Sequence, residues 1–217
     1  MKWIALPLLF IATAAHADAD AWKGAYLGFN VGGARATSSW QTDASGVMER
    51  VDQQKGSGII GGQIGYRFPA AEHLLFGFEV QGHAARIEAR DPTQVPGQER
   101  VTMVHDPVSA ALQVGIAGSR GLAYLRGGYA YATIEVQAIN QLPGGATALW
   151  DHHAAGWTAG AGFEVLLTRR LSLGLQYDYY KLSAVSLSTI DSGGTPRNAL
   201  EFETRIQAVH ARANYRF

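Results

Sequence analysis

The sequence predicts an all-β protein, an eight-stranded antiparallel up-and-down transmembrane β-barrel. Three observations lead to this prediction. Apolar and polar residues alternate in eight runs, the connections between runs are alternately long and short, and charges in the middle of runs share the polar parity. Successive side chains on a strand point to opposite faces, so alternation with a period of two indicates a strand with one apolar face.

The clearest alternation lies between residues 156 and 182, which contain two runs. Trp157 and Phe163 share the apolar parity of the first run, and Leu175 shares that of the second. Residues 168–170 between the runs are too few for anything but a hairpin turn. Each run has about ten residues, which is the length of a tilted strand that crosses a bilayer.

The remaining elements follow from the same criterion. In chain order, the predicted strands are residues 22–36, 58–68, 74–86, 104–118, 122–136, 157–167, 171–182 and 204–217. The predicted long loops are residues 37–57, 87–103, 137–155 and 183–203. Residues 122–136 alternate least regularly, with Leu125 and Tyr129 opposed to Arg126. Outer-membrane barrels have an even number of strands, short periplasmic turns and longer external loops, and this pattern matches them.

Composition and the N-terminal residues indicate an exported protein. The 217 residues contain 18 basic and 18 acidic side chains and no cysteine, which disfavours nucleic-acid binding, a disulfide framework and a thiolate metal site. Residues 1–17 combine Lys2, an apolar run and Ala15-His16-Ala17, which is typical of a cleaved signal peptide. The apolar run is too short for the alternative, a retained membrane helix. Residues 18–217 are then one barrel domain.

Charges in mid-strand decide which face points outward. The polar parity carries Arg67, Glu79, Arg126, Glu164, Asp178 and Arg212, which we predict to form an interior charge network. An arginine facing lipid at mid-depth costs about 2–4 kcal/mol, whereas opposite charges inside can pair. The alternative is a soluble lipocalin-like barrel with the apolar parity inside. Aromatic residues at strand ends favour the membrane, because they fit interfacial girdles. These residues are Trp22, Phe68, Tyr124, Tyr179, Tyr215 and Phe217.

Three segments resemble a known family. Residues 21–32 (AWKGAYLGFNVG), 156–164 (GWTAGAGFE) and 214–217 (NYRF) are similar to small OmpA-like "porin family" outer-membrane β-barrel proteins, although Gln176 stands where relatives often have glutamate. The resemblance implies a role in envelope structure, contact with lipopolysaccharide and surface loops that meet hosts, phages or matrix. It also implies an assembly signal at Tyr215 and Phe217, read by the barrel-assembly machinery. It transfers no catalytic residues.

Two functional alternatives stay open beside a structural barrel with a filled interior. The interior charges could rearrange to open a narrow path for ions or small solutes. The chain could also be a lipid A-modifying barrel enzyme, but the H-x-S-N pattern of such hydrolases does not occur in it. Residues 150–153 (WDHH) lie in the third predicted loop, which lacks the fixed geometry of a metal site, and residues 105–106 (HD), at the other rim, are an equally weak candidate. The sequence therefore predicts no metal and no cofactor.

Overall fold

The computed structural model is a closed, antiparallel β-barrel, and it describes residues 19–41, 55–92, 98–140, 148–182, 187–190 and 196–217. A 3-10 helix, Ala19–Trp22, precedes nine strands. The strands are β1 (Gly24–Gln41), β2 (Lys55–Pro69), β3 (Leu74–Pro92), β4 (Gln98–Ala117), β5 (Gly121–Asn140), β6 (Ala148–Leu166), β7 (Leu171–Leu182), β8 (Leu187–Ile190) and β9 (Pro196–Arg216). None of the described helical residues forms a segment with the length and apolar character required to cross a bilayer.

Eight of the strands form the wall, as predicted. Each of β1 to β6 pairs antiparallel with the strand that follows it in the chain, and β7 pairs antiparallel with β9. The first and last strands close the barrel, in a register that runs from Tyr26 opposite Arg216 to Gln41 opposite Glu201. The short strand β8 pairs only with β9 within the described chain. Closure leaves no unpaired edge in the described part of the eight-stranded wall, which is what a sheet needs in lipid.

The apolar parity faces outward. Large apolar side chains along every wall strand are exposed on the outer surface, among them Leu27, Ile64, Phe78, Leu112, Leu125, Phe163, Leu175 and Val209. The irregular fifth strand follows the same rule, because Leu125 and Tyr129 are exposed while Arg126 is buried. The soluble alternative requires these side chains inside, so the structure contradicts it. A continuous apolar outer wall is suited to the hydrocarbon of a membrane.

The strands are longer than the alternation predicted, and the predicted loops are wrong in extent. Segments 37–57, 87–103 and 137–155 were predicted as loops, but each contains strand at both of its ends, and segment 183–203 contains β8 and the first part of β9. For example, β3 and β4 contain 19 and 20 residues, although about 9–11 suffice to cross a bilayer. Alternation reports that one face is buried, and this signal fades where both faces of a strand contact water. The additional residues extend β-structure on the side away from the tight turns.

Two aromatic residues assigned to the girdles lie inside instead. Trp22 belongs to the 3-10 helix, is 0% exposed, and donates a hydrogen bond from Nε1 to the carbonyl oxygen of Gly118 (3.0 Å). Tyr124 has the polar parity of β5, and its hydroxyl donates to Oε1 of Gln176 (2.6 Å). Because a tyrosine carries a polar group, its position near a strand end does not decide which face it occupies. Phe68, Tyr215 and Phe217 are exposed as predicted.

Apolar side chains close the interior at both ends. The basal cluster, at the tight-turn end, consists of Ala19, Trp22, Leu75, Ala117, Leu122 and Tyr124. The upper cluster, at the opposite end, consists of Ala34, Ala36, Ile59, Ala85, Ala130, Ala132, Ala154, Tyr180, Leu182, Ile206 and Ala208. Gly24 has a φ of +119°, a left-handed conformation that glycine adopts readily, where the chain turns from the 3-10 helix into β1. This turn positions the helix under the barrel.

Candidate functional site

The six charges predicted for the interior all lie between the two apolar clusters. Each is nearly inaccessible to solvent, and each comes from a different strand of the wall. The site consists of Arg67 on β2, Glu79 on β3, Arg126 on β5, Glu164 on β6, Asp178 on β7 and Arg212 on β9. Three arginines and three carboxylates balance one another, so the network adds no net charge to the interior. The parity of each strand is what directs these side chains inward.

The pair closest to the tight turns joins Arg67 and Glu164. Arg67 donates two parallel hydrogen bonds, from Nη1 to Oε2 (3.0 Å) and from Nη2 to Oε1 (2.6 Å). Ser172 donates to the same carboxylate at 3.0 Å, and Arg67 Nε donates to Gln113 Oε1 at 3.2 Å. The guanidinium carbon lies 4.4 Å from the ring centre of Tyr26. A bidentate, charge-assisted pair with these additional bonds fixes both side chains in one geometry.

The second pair joins Arg212 and Glu79. Arg212 donates to both carboxylate oxygens of Glu79, and the Tyr26 hydroxyl donates to Oε2 of Glu79 at 2.7 Å. Arg212 also donates to the Tyr124 hydroxyl at 2.9 Å. Its Nε lies 3.5 Å from Oε1 of Glu164, so the first two pairs form one network.

The third pair joins Arg126 and Asp178, with a shortest separation of 3.2 Å. Arg126 also lies 3.7 Å from Glu79, which connects this pair to the second. Its remaining hydrogen bonds go to Gln81 Oε1 (2.6 Å) and Ser109 Oγ (3.1 Å). All six predicted charges therefore belong to one connected set of ion pairs.

Neutral polar residues that were not predicted as members of the network complete it. Gln176 accepts hydrogen bonds from Arg212 and Tyr124 and donates to Asp178 Oδ2 at 2.7 Å. Nε2 of His210 lies 2.7 Å from the same oxygen, and its ring stacks on that of His83 at 5.1 Å. These residues share the inward parity of their strands, which is the only sequence signal that marks them. With glutamine at 176, the three arginines are matched by three carboxylates and not four.

Both histidine segments lie in strands, although residues 150–153 were predicted to lie in a loop. Residues 150–153 are part of β6, and His153 is exposed and stacks on Tyr131 at 5.4 Å. The side chains of Asp151 and His152 are outside the described part of the structure. His105 and Asp106 lie at an irregularity of β4, where Asp106 has a φ of 46°. Within the described residues, no three histidine, aspartate or glutamate side chains are grouped to hold a metal ion.

Side chains fill the interior of the described barrel along its length. The interior of an eight-stranded barrel is just wide enough for side chains to fill it. Here charged and amide side chains fill the middle, and apolar side chains fill both ends. An ion that entered would have to cross the upper cluster, displace paired charges and cross the basal cluster. Each strand is instead tied to strands across the interior by charge-assisted bonds.

Comparison with known proteins agrees with this fold. The chain is 28% identical to the 31 kDa outer-membrane immunogenic proteins of Brucella melitensis and Brucella suis, over 94% of this chain and 88% of each relative. The crystal structure of the outer membrane protein OprG from Pseudomonas aeruginosa has a similar fold, with a TM-score of 0.51 and 13% identity over 94% of this chain and 99% of OprG. The family model of the outer membrane protein beta-barrel domain matches residues 4–217, so the chain belongs to this family and resides in the bacterial outer membrane.

Proposed function

We propose that this protein is a closed structural barrel that supports the envelope and presents a rigid surface outside the cell. The observation that carries the proposal is the charge-balanced network between two apolar clusters. Such an interior stabilises the wall and offers no continuous aqueous path. The alternative of a narrow ion channel would require both apolar clusters to open together.

Electrical recording tests the closed interior. We expect the purified barrel in planar bilayers to give no discrete conductance steps, because three ion pairs and two apolar clusters fill the interior. A useful comparison is the variant Arg126→Ala, which removes one arginine from the middle of the network and leaves both apolar clusters in place. This variant should also give no conductance steps. Reproducible unitary steps from the wild-type protein would contradict the proposal and favour the channel.

The surface role is supported by the long strands. The β3–β6 strands have 19 or 20 residues, about twice the length that crosses a bilayer. Because the tight turns join their other ends, the additional length projects outward from the cell. The strands that extend beyond the membrane hold their connecting segments on a rigid support, in the way that other rigid scaffolds hold their binding loops. The Brucella relatives are named as immunogenic, which is consistent with an accessible outer end.

Cysteine labelling tests this projection, and the chain has no native cysteine to give background. We expect His153→Cys, on the projecting part of β6, to react with a membrane-impermeant maleimide on intact cells. Ser119→Cys, in the tight turn between β4 and β5, is the matched control and should react only after the cells are lysed. Labelling of both positions, or of Ser119→Cys alone, in intact cells would contradict the proposed orientation.

The narrower family and the partners are also part of the proposal. We place the protein among the OmpA-like "porin family" barrels, with lipopolysaccharide and a host or phage ligand as external partners and with no nucleic-acid partner. Arg35 faces outward, and β9 sets Arg205 opposite Lys181 on the same face, so cations occur where the phosphates of lipopolysaccharide would lie. Tyr215 and Phe217 are exposed at the end of the chain, where the barrel-assembly machinery could read them.

We propose no enzymatic activity. A lipid A-modifying enzyme needs a nucleophile and a base at the lipid-facing rim. His210 lies 2.7 Å from Asp178, but this pair is buried in the interior behind the wall and does not reach the lipid-facing rim. Mass spectra of lipid A should therefore show the same acylation pattern in cells with and without the protein. A changed pattern that returns to normal when the gene is restored would support the enzyme instead.

A further inference from the structure

A polar pocket opens at the periplasmic base of the barrel, outside the interior network. Its volume is about 730 Å³. The 3-10 helix lies on one side, and the tight turns that follow β4 and β6 lie on the other. The lining residues are Asp20, Ala21, Ser119, Arg120, Leu166, Leu167, Thr168, Arg169 and Arg216. Neither the interior charge network nor membership of the family gives this pocket a function.

Positive charge dominates the pocket. Three arginines line it and only one aspartate. In the described chain, neither Arg120 nor Arg169 has a carboxylate within 4.0 Å. Arg216 is buried and held in place, because Nη2 donates to the carbonyl oxygen of Arg169 (2.5 Å) and its guanidinium lies 5.7 Å from the Trp22 ring centre. The fold thus gathers cations from two turns and from the last strand at one place.

The other side of the pocket is apolar and continues into the lipid-facing wall. Leu167 is 57% exposed and has the outward parity of Phe163 and Val165 on β6. The pocket therefore joins cationic side chains to an apolar surface at the height where the headgroups of the inner leaflet lie. A free anion would use only the arginines, whereas a phospholipid would use both parts.

We propose that this pocket binds the headgroup phosphate of a phospholipid in the periplasmic leaflet of the outer membrane. Arg120 and Arg169 donate hydrogen bonds to the phosphate oxygens, since the guanidinium fork matches phosphate geometry. Arg216 supplies a fixed positive charge at the floor, and Leu167 packs against the start of an acyl chain. The bound lipid would anchor the turn-bearing end of the barrel at one depth in the membrane.

Native mass spectrometry of the purified barrel in a neutral maltoside detergent with phosphatidylglycerol tests the site. We expect one retained lipid per wild-type barrel, and at least about tenfold weaker retention by the double variant Arg120→Gln/Arg169→Gln, because two charge-assisted hydrogen bonds are lost. Both side chains are exposed in turns, so the variant should fold normally. Arg170→Gln is the matched control. Arg170 lies in the same turn, bonds the Tyr215 hydroxyl at 3.3 Å and does not line the pocket, so retention should change less than about twofold.

Two results would overturn the proposal. One is equal lipid retention by the wild type and the double variant, which would show that the arginines do not hold the lipid. The other is displacement of the lipid by glycerol 3-phosphate at equal concentration, which would show a site for free phosphate compounds with no part for the acyl chains. A second variant, Leu167→Asn, separates these cases, because it removes the apolar contact without adding charge, and so it should weaken retention of the lipid and leave binding of glycerol 3-phosphate unchanged.

Discussion

Arg212→Gln is expected to destabilise the barrel by about 3–5 kcal/mol, the usual cost of removing one partner from a buried ion pair. Arg212 is buried, donates to both oxygens of Glu79 and lies 3.5 Å from Glu164. The substitution leaves three buried carboxylates with two arginines. Equilibrium unfolding in urea, with the barrel in phospholipid vesicles and the folded form followed by tryptophan fluorescence, measures the loss as a change in the free energy of unfolding.

The double variant Arg212→Gln/Glu79→Gln isolates the ion pair. It restores equal numbers of arginines and carboxylates in the network, so it should lose less stability than the sum of the two single variants, by about 1 kcal/mol or more. Arg170→Gln, in an exposed turn, serves as the control and should stay within about 0.5 kcal/mol of the wild type. Single-variant losses that simply add would show that the charges contribute separately, against the network described above.

The inward facing of the charged residues could be predicted because most of them lie inside regular alternating runs, and Arg126, in the least regular run, still opposes Leu125 and Tyr129. Glu164 follows Phe163 in a run that is long enough to cross the membrane. In this run Glu164 shares one parity with Gly160 and Gly162, and Phe163 has the other parity. A reversal of that parity would put every large apolar side chain inside and every charge in lipid. The cost of such a reversal is large, and for this reason facing is the best-determined property of a membrane strand.

Which interior side chains pair with one another could not be predicted in the same way. Arg126 reaches Asp178 on β7 and Glu79 on β3, and these strands are not neighbours of each other in the wall. Such contacts depend on how far each strand is staggered around the barrel, which no local pattern encodes. The same limit applies to Gln176, whose bonds to Arg212 and Asp178 are visible only in three dimensions.

The predicted strand ends and two of the predicted aromatic positions were wrong for related reasons. β1 continues to Gln41 through residues 37–41 (TSSWQ), whose sequence has no regular apolar alternation to reveal the strand. Trp22 was predicted to lie in a girdle, but the chain turns at Gly24 and carries the indole under the barrel. Backbone pairing and a single change of chain direction decide these features, and side-chain periodicity reports neither.

Leu112→Arg is expected to destabilise the barrel by about 2–4 kcal/mol in phospholipid vesicles, because it places a guanidinium at mid-depth in hydrocarbon. Leu112 is 72% exposed on the outer wall of β4, opposite Phe78 on β3. β4 ends at Ala117 beside a tight turn, and a crossing takes about 9–11 residues, so Leu112 lies near the middle of the crossing. Urea unfolding in vesicles measures the effect.

Ile116→Arg is the matched control on the same strand and the same face. Ile116 is 68% exposed, but it lies next to the tight turn after β4, where the new guanidinium can reach the headgroups. There the same substitution should cost only about 0–1 kcal/mol, since the penalty for a charge on the lipid face falls toward the interface. A large loss at 112 with a small loss at 116 would locate the hydrocarbon against this wall. Equal losses at the two positions, or none at either, would mean that the apolar face of the barrel contacts something other than a bilayer.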